Sequence, residues 1–178
     1  MFSILKRLLN EKKYVCIHAD ETSPNKFVFG KIIGVDTNNV AISMVSPDGE
    51  YDGVLLKQID DIIRVEQSVS YENKMRKLMR MKEYDEKEFA IPNENILRGI
   101  LDFAKETGVI ISVELDHSGI DDVAGFVESV NDKTCELIQV NEYGEEDGES
   151  FITLSDISQI CLDSSDEKRL LALFQADD

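Results

Sequence analysis

A short acidic motif bounded by glycines occurs twice in this chain, and its recurrence constrains the fold more than any other feature. Residues 49–53 read Gly-Glu-Tyr-Asp-Gly, and residues 144–148 read Gly-Glu-Glu-Asp-Gly. When 28–62 is aligned with 123–157 without a gap, ten of 35 positions are identical, whereas average composition gives about two by chance. The sequence therefore predicts a tandem duplication.

The duplication predicts two domains, at 1–88 and 89–178, each with the same succession of hydrophobic patterns. In both domains a helix precedes five short strands and a second helix follows them. Gly30 and Gly34 interrupt the second strand of the first copy, and glycine inside a strand usually marks a sharp bend or bulge. The expected helices are 2–10, 70–82, 94–106 and 165–174, and the expected strands are 14–19, 26–36, 40–45, 54–56, 62–65, 109–115, 122–130, 134–140, 149–154 and 157–162.

The composition is that of an ordinary globular protein, and it favours the cytoplasm. No apolar run approaches the ~20 residues that a membrane span requires. The apolar stretch at the start of the sequence is too short, and too often interrupted by charged residues, for a secretory signal. The chain has three cysteines, Cys16, Cys135 and Cys161, each in an apolar run and far from the others. An odd number of cysteines with this spacing indicates buried free thiols.

The negative charge is concentrated in the second copy. The whole chain carries a net charge of −17. Residues 1–89 have 14 basic and 15 acidic side chains, a net charge of −1, whereas residues 90–178 have 5 and 21, a net charge of −16. Solubility alone could explain this asymmetry. Alternatively, the second copy binds a cationic partner or repels polyanions.

No residue pattern indicates catalysis or a resident metal. The alternating carboxylates of 48–53 are similar to the start of a calcium-binding loop, but Ile59 stands where that loop needs a bidentate glutamate. A polar turn between strands is the favoured interpretation. His18 and His117 have no partners at metal-ligand spacing. We therefore predict a protein that is not an enzyme and has no catalytic residues, cofactor or metal.

The helix expected at 70–82 is basic and rich in methionine. A helix of this kind can be a calmodulin-like target or lie on a membrane surface. The favoured interpretation is that its apolar stripe packs on its own domain while its cations face solvent. A further alternative is that its basic face packs against the acidic surface of the second copy.

Five short strands, a glycine-bent second strand and a preceding helix resemble the Sm-like or, more broadly, SH3-like small barrels. The resemblance implies a mainly β fold with flanking helices (α+β), made of two tandem five-stranded barrels. It also implies RNA binding as an alternative function. The motif positions that fit are Gly30, Ile32, Asp36, Gly125 and Val127, and those that depart from it are Val40, Asn131 and Cys135. The departures include the positions of the RNA-contacting asparagine, so nucleic-acid binding is not expected.

The leading hypothesis is a non-enzymatic protein-interaction module, such as a bacterial regulator, inhibitor or immunity-type protein. Its partner is expected to be a basic protein that binds the acidic second copy. An Sm-like RNA-binding protein is the alternative, and an enzyme with unrecognised carboxylate catalysis is a third. The candidate partner-binding residues crowd one expected turn: Glu142, Glu145, Glu146, Asp147 and Glu149.

Overall fold

A computed structural model describes residues 1–20, 22–85, 87, 89 and 94–176 of the protein. The chain divides into two compact units, Met1–Ile96 and Leu97–Asp178. The boundary expected from the sequence lies between 88 and 89, close to 90–93, which are outside the described residues. That boundary therefore stays a prediction.

The first unit has the predicted order of helix, five strands and helix. A 3₁₀ turn at Ile59–Asp61 joins the fourth strand to the fifth, where a tight turn was expected. The elements are α1 (Phe2–Glu11), β1 (Tyr14–His18), β2 (Val28–Val35), β3 (Asn39–Val45), β4 (Tyr51–Gln58), β5 (Arg64–Glu66) and α2 (Val69–Met81).

The second unit repeats this order element by element. Its 3₁₀ turn, Leu154–Asp156, again lies between the fourth and fifth strands. The elements are α3 (Ile96–Thr107), β6 (Ile110–Leu115), β7 (Val123–Val130), β8 (Thr134–Val140), β9 (Glu146–Thr153), β10 (Ile157–Leu162) and α4 (Ser165–Ala176).

The strands of the two units pair in the same order. Within the first unit the order is β5-β1-β2-β3-β4, within the second it is β10-β6-β7-β8-β9, and the neighbouring strands are antiparallel. The expectation of a mainly β, α+β fold is confirmed. The expected closure into two barrels is not seen, because the described strand pairs within each unit run as an open series.

The second strand of each unit is bent as the glycines predicted. A side chain at Gly30 would meet the carbonyl oxygen of Ser43, and one at Gly125 would meet that of Ile138. Neighbouring strands can approach this closely only because a Cβ is missing. The register then shifts, between Ile32 and Gly34 in the first unit and between Val127 and Ser129 in the second, as in a β-bulge.

Helix α2 lays its apolar stripe on the sheet of its own unit, as the sequence predicted. Met75 and Met79 are buried on this helix, and Tyr71 and Leu78 pack beside them. The cluster they join is Tyr14, Cys16, Phe29 and Val45, contributed by strands β1, β2 and β3. Because the apolar face is already occupied, α2 offers no free stripe to a membrane or to a calmodulin-like partner.

An Asx turn joins the second and third strands in both units. In the first unit Asp36 Oδ1 accepts hydrogen bonds from the backbone N–H of Asn38 and Asn39, at 2.9 and 2.8 Å. In the second unit Asn131 Oδ1 accepts the equivalent bonds from Lys133 and Thr134, both at 2.9 Å. The change from Asp to Asn therefore preserves the turn.

Candidate protein-binding surface

A tight turn at 141–145 opens the acidic segment of the second unit. The backbone N–H of Asn141 donates to Glu145 O at 2.9 Å, and the N–H of Gly144 donates to Asn141 O at 3.0 Å. The side chain of Asn141 adds two bonds, since its Oδ1 accepts from the N–H of Tyr143 and of Glu145 at 3.0 and 3.1 Å. The turn is thus held by hydrogen bonds within itself, and its charged side chains are left at the surface.

The first glycine of the repeated motif seats this turn against the closing helix of its unit. Gly144 has φ +86°, and a Cβ placed there would lie 2.6 Å from Leu173 Cβ of α4. Gly49 of the first unit also has φ +86°, and a Cβ there would lie 2.6 Å from Leu78 Cβ of α2. Glycine is required on both grounds, the backbone conformation and the close approach. In both units the first glycine of the motif therefore lies directly against the closing helix.

The second glycine of the motif lies inside a strand, which corrects the expectation of one continuous turn. Strand β9 begins at Glu146 and β4 at Tyr51, so Gly148 and Gly53 are both strand residues. Both have φ +84°. The register of β8 against β9 shifts nearby, as expected where a strand residue adopts positive φ. Consequently Glu142 and Glu145 are in the turn, whereas Glu146, Asp147 and Glu149 lie along β9.

All five candidate carboxylates are exposed, and none forms an ion pair with a residue that the structure describes. One is hydrogen-bonded, because Asn141 Nδ2 donates to Glu145 Oε2 at 3.1 Å. The first unit differs at the matching turn, where Lys82 Nζ lies 3.0 Å from Glu50 Oε1. The acidic surface of the second unit thus carries uncompensated charge, whose mutual repulsion a cation would relieve.

Two large exposed side chains flank the carboxylates, and the sequence patterns gave no sign of them. Tyr143 is 68% exposed and Phe151 is 71% exposed. In the duplication Phe151 corresponds to Leu56, which is only 1% exposed. Both residues are large and apolar, so the sequence alone gives no reason to expect different surroundings. The same position is therefore buried in one copy and faces solvent in the other.

A second acidic group in the same unit is buried, and the sequence gave no signal for it. Glu167 of α4 accepts hydrogen bonds from Ser112 Oγ at 2.7 Å and from the backbone N–H of Ser164 at 3.0 Å. The bond to Ser164 forms half of a capping box at the start of the helix. The nearby Asp121 is exposed, but desolvation on the side that faces this group raises the pKa of its carboxyl, and the charges of Glu167 and Glu114 raise it further. We assign this group a structural role.

The histidines and cysteines do not assemble into a reactive site in the described part of the chain. His18 is buried, and one of its ring nitrogens lies 2.9 Å from Pro24 O and the other 3.1 Å from Arg64 Nη2. Burial raises the pKa of the Cys16 and Cys135 thiols to about 11. All three cysteines are free; Cys161 is only half-buried, contrary to expectation.

Comparison with known proteins assigns no family: no protein-family model, curated protein or solved structure matches this chain. Within the described residues, no three His, Cys, Asp or Glu side chains are grouped so that they could hold a metal ion. The same residues include no helix with the length and apolar character needed to cross a membrane.

Proposed function

We propose that the protein is a non-enzymatic protein-interaction module of the cytoplasm that binds a basic protein through its second unit. The binding surface comprises Glu142, Glu145, Glu146, Asp147 and Glu149, together with the rings of Tyr143 and Phe151. The observation that carries the proposal is the exposure of all seven side chains on one turn and its adjoining strand. A regulator, inhibitor or immunity-type protein acts by binding of this kind.

The two kinds of side chain contribute differently to binding. Clustered carboxylates attract a cationic partner over a distance, so they raise the association rate more than the final affinity. Aromatic rings supply the desolvated contacts that hold a complex together once it has formed. The charge is specific to this copy, since the matching stretch of the first unit carries only Asp48, Glu50 and Asp52.

The test begins with affinity capture and mass spectrometry to identify a basic partner. Glu145, Glu146 and Glu149 are then changed together to Gln, and association is followed by stopped flow or surface plasmon resonance. We expect an association rate about tenfold lower at low salt, and a difference that disappears at high salt because ions screen the charges.

A matched control is available on other elements of the same unit. Glu106, Glu128 and Asp132 are also exposed, and changing them to Gln, Gln and Asn removes the same amount of charge. Glu106 lies in α3, Glu128 in β7 and Asp132 between β7 and β8, so none of the three belongs to the acidic turn or to β9. If both triple variants slow association equally, net charge and not this surface is responsible. An unchanged rate for the Glu145, Glu146 and Glu149 variant would contradict the proposal.

The alternative is a pair of Sm-like or SH3-like units that bind RNA. The strand number, the bent second strand and the preceding helix support the fold resemblance. The basic side chains of the first unit, by contrast, give little support to RNA binding. Arg76 Nη2 lies 2.7 Å from Glu72 Oε1, and the ring that Lys31 and Arg76 cover belongs to Tyr14, which is 4% exposed and cannot stack with a base. Submicromolar binding of single-stranded RNA at physiological salt would support the alternative instead.

A further inference from the structure

Strand β9 has one edge without a strand partner among the described residues. It pairs with β8 along its inner edge and stands last in the strand order of its unit. The backbone N–H of Leu154 donates to Lys133 O at 2.8 Å. Hydrogen-bonded and non-hydrogen-bonded pairs alternate along an antiparallel ladder. The N–H and C=O groups of Glu149, Phe151 and Thr153 therefore point away from β8, toward the open edge.

The same three residues also have exposed side chains. In the first unit the positions equivalent to Glu149 and Phe151 are Val54 and Leu56, which are 0% and 1% exposed. Natural edge strands are commonly protected by charged side chains (lysine above all), by proline, by bulges or by shortness, and the carboxylates of β9 give a protection that repels a second copy but not a basic segment. Strand β9 has eight residues and contains neither lysine nor proline. It thus presents unpaired backbone groups, an apolar ring and carboxylates along one line.

We propose that β9 receives an extended basic segment of the partner as an additional strand. The inference rests on the proposed function and names the form in which the partner binds. Strand addition takes its affinity from main-chain hydrogen bonds and its specificity from alternate side chains. Opposite charges and apolar pairs directly across a strand pair are favourable. The segment therefore carries Lys or Arg opposite Glu149 and an apolar side chain opposite Phe151.

The probe is a synthetic peptide of repeated Lys-Thr-Val-Thr units, which places Lys and Val in alternation on one face of an extended chain. Its control has the same sequence with N-methyl groups on the Lys and Val amides, so it keeps the charge and loses donors on one edge. We measure binding to the full chain at low ionic strength by calorimetry. Loss of each paired donor is expected to weaken binding about fivefold, and the methylated peptide more than tenfold.

Thr153 allows the same test from the protein side. Its φ of −73° is compatible with proline, and its N–H is not used by β8. Thr153→Pro therefore removes an outward donor, whereas Thr153→Ala removes the side chain and keeps the donor. We expect the peptide to bind the Pro variant about fivefold more weakly than the Ala variant. On peptide binding, amide exchange at Phe151 should slow.

The outcomes separate this inference from the proposed function. Equal affinities of the two peptides, or no binding of the unmodified one, would overturn strand addition. If strand addition were overturned but the Glu145, Glu146 and Glu149 variant still bound its partner more slowly, the protein would bind a basic partner by another mode. If the Pro variant failed to fold, the comparison of the two peptides on the unaltered protein would still test strand addition.

Discussion

Replacing Gly144 by Ala tests whether the repeated motif docks a helix. The new Cβ would lie 2.6 Å from Leu173 Cβ and 2.7 Å from the backbone of Leu173 and of Phe174. Two of these atoms belong to the backbone of α4, so the conflict cannot be relieved by a side-chain rotation. Ala at positive φ costs about 1–2 kcal/mol, and overpacking costs about 1–3 kcal/mol more. The sum is about 2–5 kcal/mol.

Gly148 provides the matched control, because it differs from Gly144 in only one of these two respects. Its φ is +84°, but a Cβ there would have nothing within 4 Å. Gly148→Ala should therefore cost only the conformational part, about 1–2 kcal/mol. The difference between the two variants, about 1–3 kcal/mol, measures the contact between the turn and α4.

Urea unfolding of the full chain, followed by circular dichroism, provides the measurement. With a slope of about 1–2 kcal/mol per molar for a unit of this size, the midpoints of the two variants should differ by about 1 M. Gly49→Ala should have the same effect on the first unit, since its Cβ would lie 2.6 Å from Leu78 Cβ. Equal destabilisation by Gly144→Ala and Gly148→Ala would refute the docking role and leave only the backbone requirement.

The remaining predictions concern folding, acidity and binding. Fragments 1–88 and 89–178 should each unfold cooperatively in a thermal scan, and two molten fragments from a sharply unfolding full chain would mean that the cores are shared. Asp121→Asn should raise the unfolding temperature at pH 7, because the pKa of this carboxyl is raised on folding and its ionised form is therefore disfavoured in the folded state. The gain should shrink as the pH falls and be absent below about pH 3, where Asp is protonated in both states; a constant gain would point to packing instead. Cys16 and Cys135, with pKa values of about 11, should resist Ellman's reagent at pH 8 until the protein is unfolded. Filter binding should detect no submicromolar affinity for single-stranded RNA at physiological salt, since few phosphates can be neutralised.

The secondary structure could be predicted closely because the same order of hydrophobic patterns occurs in both copies of the sequence. Strands such as Thr134–Val140 and helices such as Val69–Met81 lie within a residue or two of the expected positions. The main error is at the acidic motif, where Tyr51 and Glu146 already begin strands. Asp, Glu and Gly are poor strand formers by composition, and only the ladder with the preceding strand overrides that preference.

The candidate surface could be predicted in part. The carboxylates from Glu142 to Glu149 were visible as a charge cluster denser than the matching stretch of the first copy. The exposure of Phe151 was not, because an apolar residue aligned with a leucine is expected inside. Nor could the open edge of β9 be foreseen, since strand order arises from pairing between residues distant in the chain and leaves no local mark.

The docking of Gly144 on α4 has a consequence for biosynthesis. Leu173 follows Gly144 by 29 residues, the same interval that separates Leu78 from Gly49. At about 5–20 residues per second, a ribosome adds the helix roughly 1–6 s after the turn. During that interval the β8–β9 hairpin lacks its helix, while neighbouring nascent chains on a polysome present the same strand. Two such strands repel each other through their carboxylates, so the acidic edge discourages co-translational aggregation between siblings while it remains open to a segment of opposite charge.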